Sequence, residues 1–197
     1  LLYRFYWSVS DSANANKYKE IIYCKRTKDG KTWSEREVFH EPPGTSMFMS
    51  PAVLFDAKTE TYHMYGVAYS ADGTKRVIRH LSSKTCKNDW VEIGDIPSPA
   101  GTAIWHVDLK HVGDKQICVF QNRLGNTSVG FRTGISSNFH DFEWQSDWWN
   151  PQTYGVYKAS FLPQFNAQNQ MRLVYFWTTN QTPVDTNLKY KLFMQPT

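Results

Sequence analysis

The chain has 197 residues, of which 41% are hydrophobic and 16% aromatic, and its formal net charge is +4. This length and composition predict one globular domain with a sizeable core and exclude a disordered chain. The small basic excess is spread along the sequence, so no basic arm or stripe indicates a nucleic-acid partner.

Short runs rich in β-branched and aromatic residues alternate with turn residues, and no segment has the periodicity of an amphipathic helix. This pattern predicts an all-β fold. In chain order, the predicted strands are 1–9, 18–26, 33–39, 50–55, 62–69, 76–82, 90–93, 104–111, 116–121, 128–135, 142–145, 156–163, 171–178 and 188–194. Asp72-Gly73, between two alternating runs, is typical of a hairpin turn.

One arrangement recurs: a first strand, two further strands and a short strand that carries a tryptophan. These tryptophans are Trp33, Trp90 and Trp144, spaced by 57 and 54 residues, and we expect them to pack between sheets. Such a period is typical of a β-propeller of four-stranded antiparallel blades around one axis. The sequence predicts a single propeller domain over residues 1–197, with blade parts at 1–40, 50–94, 103–146 and 156–197.

The first blade part lacks its inner strand and the last lacks its outer strand. Five blades of this size need more than about 250 residues. We therefore expect the chain to hold most of a larger, five-bladed propeller within a longer polypeptide. A sandwich of short strands is the alternative, which the recurring strand order disfavours.

The cysteines Cys24, Cys86 and Cys118 lie in or beside predicted strands without metal-ligand spacing. We expect free buried thiols, with a disulfide or a metal role as the alternative. The six histidines have no paired metal spacing, and no phosphate-binding glycine loop is present, so no metal and no cofactor are expected. No apolar run approaches the ~20 residues of a membrane-spanning helix, and no membrane insertion is expected.

Candidate binding residues lie where the predicted inner strands open, after loops rich in Gly and Pro. Loops at the mouth of a rigid scaffold are where binding residues concentrate. In Trp105-His106-Val107-Asp108, alternation puts His106 and Asp108 on one face, about 7 Å apart. That pair suits hydrogen bonds to sugar hydroxyls or acid–base chemistry. The structural alternative is that Asp108 satisfies backbone groups while His106 packs beside it.

Aromatic residues cluster at the same openings, and flat rings stack on the apolar faces of sugars. Asp108 is the candidate catalytic residue. The candidate substrate-binding residues are Ser50, Trp105, His106, Trp149, Tyr157 and Lys158.

Several features of the sequence resemble those of a known family. They are the blade length, the strand openings Ser50-Pro51-Ala52-Val53 and Trp105-His106-Val107-Asp108, and the turn Asp29-Gly30-Lys31-Thr32-Trp33. The chain resembles five-bladed propellers of the arabinanase and invertase type of glycoside hydrolase, in particular their divergent relatives in bacteriophage tail and receptor-binding proteins. The resemblance implies carboxylates on several inner strands, acting as nucleophile or base, general acid and orienting third acid.

Asp108 matches one such position, but the other openings depart from the pattern. Strand 50–55 has no carboxylate before Asp56, and strand 156–163 offers Lys158 and Ser160 where an acid is expected. Glu41 and Asp147 lie in the preceding loops.

From the resemblance we expect a carbohydrate-recognition propeller, acting as a phage tail receptor-binding module that docks on cell-surface glycans. It would be located in the virion tail or outside the cell, as a homotrimer. The alternatives are a glycoside hydrolase of the furanosidase type and a structural scaffold with a vestigial pocket.

Overall fold

The computed structural model describes residues 2–9, 20–43, 47–124, 127–146, 156–180 and 190–196. These ranges contain fourteen β-strands and no helix, which confirms the predicted all-β class. No helix long and apolar enough to cross a membrane occurs in this part of the chain. The predicted loop at 11–16 and the turn at Gly125-Asn126 lie outside it.

The chain forms two compact units, residues 1–95 and 96–197. The first unit is built from two sheets, with strand orders β1-β2-β3 and β4-β5-β6-β7. Their strands are β1 (Leu2–Val9), β2 (Glu20–Thr27), β3 (Glu37–His40), β4 (Met49–Asp56), β5 (Thr61–Tyr69), β6 (Arg76–Ser83) and β7 (Val91–Ile96).

The core of the first unit lies between these two sheets. Ile22, Cys24 and Phe39 of the first sheet share one buried cluster with Met64 and Leu81 of the second. Their alternation along β2, β5 and β6 brings every second side chain to the same face, so the apolar pattern of the sequence builds this interface directly.

The second unit repeats the plan with sheets of order β8-β9-β10-β11 and β12-β13-β14. Its strands are β8 (Ile104–Val112), β9 (Lys115–Leu124), β10 (Thr127–Ser136), β11 (Glu143–Trp144), β12 (Val156–Phe165), β13 (Met171–Asn180) and β14 (Tyr190–Pro196). Val119, Phe131, Phe161, Tyr175 and Trp177 belong to the buried cluster between its two sheets. The Tyr175 hydroxyl and the Thr133 hydroxyl are hydrogen-bonded there at 2.8 Å.

The predicted role of Trp33 is wrong, because its side chain is 36% exposed. The strand expected at 33–39 is the shorter β3, since Asp29 prolongs the preceding turn by accepting the N–H groups of Lys31 and Thr32, each at 2.8 Å. Trp90 does pack on the core of the first unit, with its ring 5.0 Å from that of Phe39.

Trp144 packs edge-on against Phe120 at a ring separation of 4.9 Å and covers Gly134 of β10. Its indole N–H donates to the carbonyl of Pro97 at 2.7 Å. The closing tryptophan of this sheet therefore fixes both a neighbouring strand and the chain that leads into β8.

Gly66 of β5 is required by a close approach of Phe48. A β-carbon at this position would lie 2.4 Å from Cε1 of the Phe48 ring. We expect Gly66→Ala to lower the free energy of unfolding by about 1–3 kcal/mol, because the overlap must be relieved in a packed core. Urea unfolding measures this, and in a Phe48→Ala background the same change should cost much less. An equal cost in both backgrounds would contradict the overlap.

His40, the last residue of β3, is buried and packs edge-on against Phe48 at a ring separation of 5.0 Å. Burial lowers the pKa of His40 from 6.5 to about 4. Since the unfolded chain then takes up a proton before the folded chain does, the stability that depends on neutral His40 is present above pH 6.5 and is lost as the pH falls towards 4.

We expect the free energy of unfolding to fall by up to about 3 kcal/mol across that interval because of this one group. Urea unfolding at a series of pH values measures the slope. In a His40→Phe variant the slope should be shallower over the same interval, and an unchanged slope would assign the pH dependence to other groups.

The three cysteines are free and buried, and burial is what the sequence predicts. Burial, with the nearby charge of Glu37, raises the pKa of Cys24 to about 11. Burial also raises the pKa of Cys118 well above its ordinary value, and the charge of Asp108 adds to this effect. Both thiols are thereby held in the protonated, unreactive form.

Candidate functional site

The first strand of three sheets opens with a β-bulge. One extra residue is inserted between Met49 and Ala52 of β4, between Ile104 and His106 of β8, and between Tyr157 and Ser160 of β12. Bulges re-aim side chains and are frequent beside active sites.

Three of the predicted substrate-binding residues occupy these bulges. Ser50 and Lys158 have positive φ angles of 54° and 50°, in a region that non-glycine residues seldom adopt. Trp105 is the inserted residue of β8. A β-bulge therefore positions Ser50 in the first unit, and two further bulges position Trp105 and Lys158 in the second unit.

Two buried amides of β9 fix the openings of the second unit. The Asn122 side-chain oxygen accepts the N–H of Ala103 at 2.7 Å, and that of Gln121 accepts the N–H of Lys158 at 3.1 Å. Gln121 and Asn122 are only 1% and 2% exposed. Because His106 is paired with Gln121 across the β8–β9 ladder, the residues around His106 and Lys158 are held together.

Asp108 lies on the face of β8 that meets β12. Its Oδ2 accepts a hydrogen bond from the Ser160 hydroxyl at 2.6 Å and forms a salt bridge with Lys110. The Lys110 ammonium also donates to the Ser160 hydroxyl oxygen at 3.3 Å and lies 4.6 Å from the centre of the Phe161 ring. We call Asp108, Lys110 and Ser160 the Asp108 cluster.

Lys110 and Ser160 orient the Asp108 carboxylate but leave it partly exposed. The Asp108 side chain is 24% exposed and that of Lys110 is 30% exposed. Both described hydrogen bonds of the carboxylate end on Oδ2. Oδ1 accepts no hydrogen bond from the described residues, so it is the carboxylate oxygen left for a ligand hydroxyl, and a bond to a charged acceptor is stronger than one between neutral groups.

The predicted site residues lie in different parts of the protein. Trp105 and His106 lie together, with ring centres 6.1 Å apart, and His106 shares a face with Asp108, as the alternation of the strand predicts. The backbone of Tyr157 lies at the bulge of β12. Trp149 lies outside the described residues.

Lys110 was missed by the sequence analysis. Extending the alternation of His106 and Asp108 by one more step reaches Lys110 on the same face, so the signal was present. Gln121 and Asn122 could not be found this way, because a polar pair in a strand gives no sign of which distant N–H groups it will accept.

The described carboxylates of the second unit do not supply a partner for Asp108. Asp114 lies in the β8–β9 turn with 77% of its side chain exposed, while Asp141, before β11, and Glu143, its first residue, are also exposed. In the first unit, Asp56 accepts the N–H of Lys58 at 2.9 Å and the hydroxyl of Thr59 at 2.6 Å. Asp56 therefore stabilises the turn after β4, and Asp147 lies outside the described residues.

No group of three or more His, Cys, Asp or Glu side chains that could hold a metal ion occurs in the described ranges.

No protein-family model matches the chain, and no curated protein matches it. Solved structures do match. An N-acetylgalactosamine deacetylase from F. plautii, in complex with blood group B trisaccharide, is 13% identical with a TM-score of 0.69, over 99% of this chain and 68% of that one. An exo-β-1,3-galactanase from Phanerochaete chrysosporium, bound to β-1,3-galactotriose, is 16% identical with a TM-score of 0.65, over 98% of this chain and 44% of that one. An endo-arabinase from Bacteroides thetaiotaomicron is 14% identical with a TM-score of 0.63, over 96% of this chain and 74% of that one.

These matches establish the fold, a β-propeller of four-stranded antiparallel blades, as the sequence predicts. Five-bladed glycoside hydrolases of the arabinanase and invertase type are among the structures that it resembles, and the alternative of a sandwich is excluded. Nothing in the comparisons indicates a bacteriophage tail protein. The chain spans less than half of the galactanase.

Proposed function

We propose that the protein is a carbohydrate-active propeller and that its activity is glycoside hydrolysis. The observation that carries this proposal is the Asp108 cluster, a partly exposed carboxylate oriented by Lys110 and Ser160 at the meeting of two first strands. The matched galactanase and arabinase act on glycosides by name, which favours hydrolysis over binding alone.

Within such a reaction we assign Asp108 the role of an orienting carboxylate. Hydrolysis requires two carboxyl groups on opposite sides of the scissile bond, about 5–9.5 Å apart, and Asp108 has no such partner among the described residues of its unit. Its Oδ2 is held by Lys110 and Ser160, and its Oδ1 is placed to accept a sugar hydroxyl. The general acid and the base or nucleophile would then come from other parts of the protein.

Carbohydrate binding without hydrolysis is the second candidate. It is favoured by the salt bridge that occupies Asp108 and by Lys158, which stands at the β12 opening where an acid is expected. The resemblance also predicts a trimeric phage tail module that docks on cell-surface glycans. Its location would be the virion tail or the outside of the cell, and both points stay predictions.

Incubation with arabinan and with β-1,3-galactan tests the proposal through the release of reducing ends. Asp108→Asn should lower release about ten- to a hundredfold, and the matched control Asp114→Asn, in the exposed turn of the same hairpin, should leave it unchanged. Retention of either polymer in affinity gel electrophoresis without release would favour the binding candidate. If the protein neither cleaves nor retains either polymer, both candidate functions are refuted.

A further inference from the structure

The first unit contains a groove of ≈690 Å³ between the end of β3, residues 41–43 and 47–48 before β4, the β5–β6 hairpin and residues 88–92 around the start of β7. Its volume lies within the ~300–1,000 Å³ of ordinary ligand pockets. No residue of β4 lines it, and none of its residues belongs to the unit that holds Asp108. We propose that this groove binds a neutral saccharide at a second site, independent of the proposed hydrolysis.

The walls of the groove combine apolar surface with aromatic rings. Pro42, Phe48 and Leu81 line it together with Tyr69 and Trp90. Tyr69 is 43% exposed, while Trp90 is half-buried and braced by Phe39 at a ring separation of 5.0 Å. Such rings present flat faces to the C–H surface of a sugar at little cost in side-chain entropy.

The polar groups of the groove suit hydroxyls. Arg79 is held by Asp95 at 2.9 Å and by Glu92 at 3.4 Å, and it donates to the Tyr69 carbonyl at 3.1 Å. Glu92, with 53% of its side chain exposed, and the exposed Asn88 add oxygen acceptors and amide donors to the lining. Planar carboxylate, amide and guanidinium groups can each bond two neighbouring hydroxyls.

The charge of the groove disfavours an anionic occupant. Arg79 is already paired with two carboxylates, Glu41 is a further lining carboxylate, and burial keeps His40 neutral near pH 7. The lining has no surplus positive charge to attract a phosphate or a sialic acid.

One buried donor at the groove lacks an acceptor. The indole N–H of Trp90 is buried and has no hydrogen-bond partner among the described residues. A buried donor left without an acceptor is costly. A ligand hydroxyl that reached this N–H after a small shift of the ring would satisfy it.

Titration of the whole protein with β-1,3-galactotriose and with arabinotriose, followed by saturation-transfer NMR and calorimetry, tests the proposal. The measurements use Asp108→Asn protein, so that binding at the site in the second unit is weakened. Adding Tyr69→Ala and Asn88→Ala should weaken the remaining binding by about tenfold, equivalent to about 1.4 kcal/mol. Phe55→Ala is the matched control, because Phe55 is an aromatic residue of the same sheet that is 44% exposed and lies outside the groove.

Trp90→Phe, which keeps a ring and removes the N–H, should also weaken binding, and the anionic sialyllactose should bind more weakly than either neutral trisaccharide. The proposal is overturned if Asp108→Asn protein binds neither trisaccharide, or if the groove variants bind as the control does. Absence of polymer hydrolysis by the wild-type protein, or unchanged hydrolysis by Asp108→Asn, would count against the proposed function alone while these binding results stand, so the two failures are distinguishable.

Discussion

Asp108→Asn is expected to lower carbohydrate turnover or affinity by about ten- to a hundredfold, the value of a hydrogen bond to a charged group. The substitution keeps the shape of the side chain but removes the charge that Lys110 and the Ser160 hydroxyl hold in place. Reducing-end release and affinity gel electrophoresis measure the two effects, and circular dichroism checks that the variant is folded.

Ser160→Ala separates orientation from charge. It removes one of the two groups that bond Oδ2 and leaves the salt bridge between Asp108 and Lys110. We expect a smaller loss than for Asp108→Asn, with the affinity for substrate affected more than the turnover number. Wild-type behaviour of both variants would show that the Asp108 cluster is structural.

Phe161→Ala is expected to lower the free energy of unfolding by about 3–5 kcal/mol, the cost of a large cavity in a packed core. The Phe161 side chain is 0% exposed in the cluster between the two sheets of the second unit. Its ring also supports the Lys110 ammonium at 4.6 Å, so the carboxylate site should loosen together with the core.

Leu162→Ala is the matched control, because this neighbouring side chain of the same strand is 49% exposed. It should change the free energy of unfolding by about 0.5 kcal/mol or less. Urea unfolding of both variants measures the difference. Equal losses would contradict the assignment of alternate faces along β12.

The order of the strands was predictable because it follows from the local alternation of apolar and polar residues. Alternating apolar residues placed β5, β6 and β8 within a residue of their observed bounds, and the repeat of strand order led to the correct fold. The prediction for Trp33 was wrong because hydrogen bonds from the N–H groups of Lys31 and Thr32 to Asp29 lengthen the turn. The periodicity of the sequence does not reveal these bonds.

The candidate site was predictable only in part. The shared face of His106 and Asp108 follows from the two-residue period of a strand. The contact of Asp108 with Ser160 joins residues 52 apart in sequence, and no local pattern specifies which strands will meet. The bulges were also missed, since the extra residue changes the register of a ladder without any distinctive residue type.

The inserted residues at Trp105 and Lys158 have a consequence for how this scaffold can diversify. Each lies at a break in the pairing, and regular pairing resumes at His106, directly after Trp105, and at Ser160, two residues after Lys158. A substitution at either position would change the side chain at the start of the strand, while the buried side chains further along β8 and β12 would keep their partners. If the proposed function holds, ligand preference and folding stability depend on separate residues of the same strand, and substitutions at these two positions can change specificity with little effect on the core.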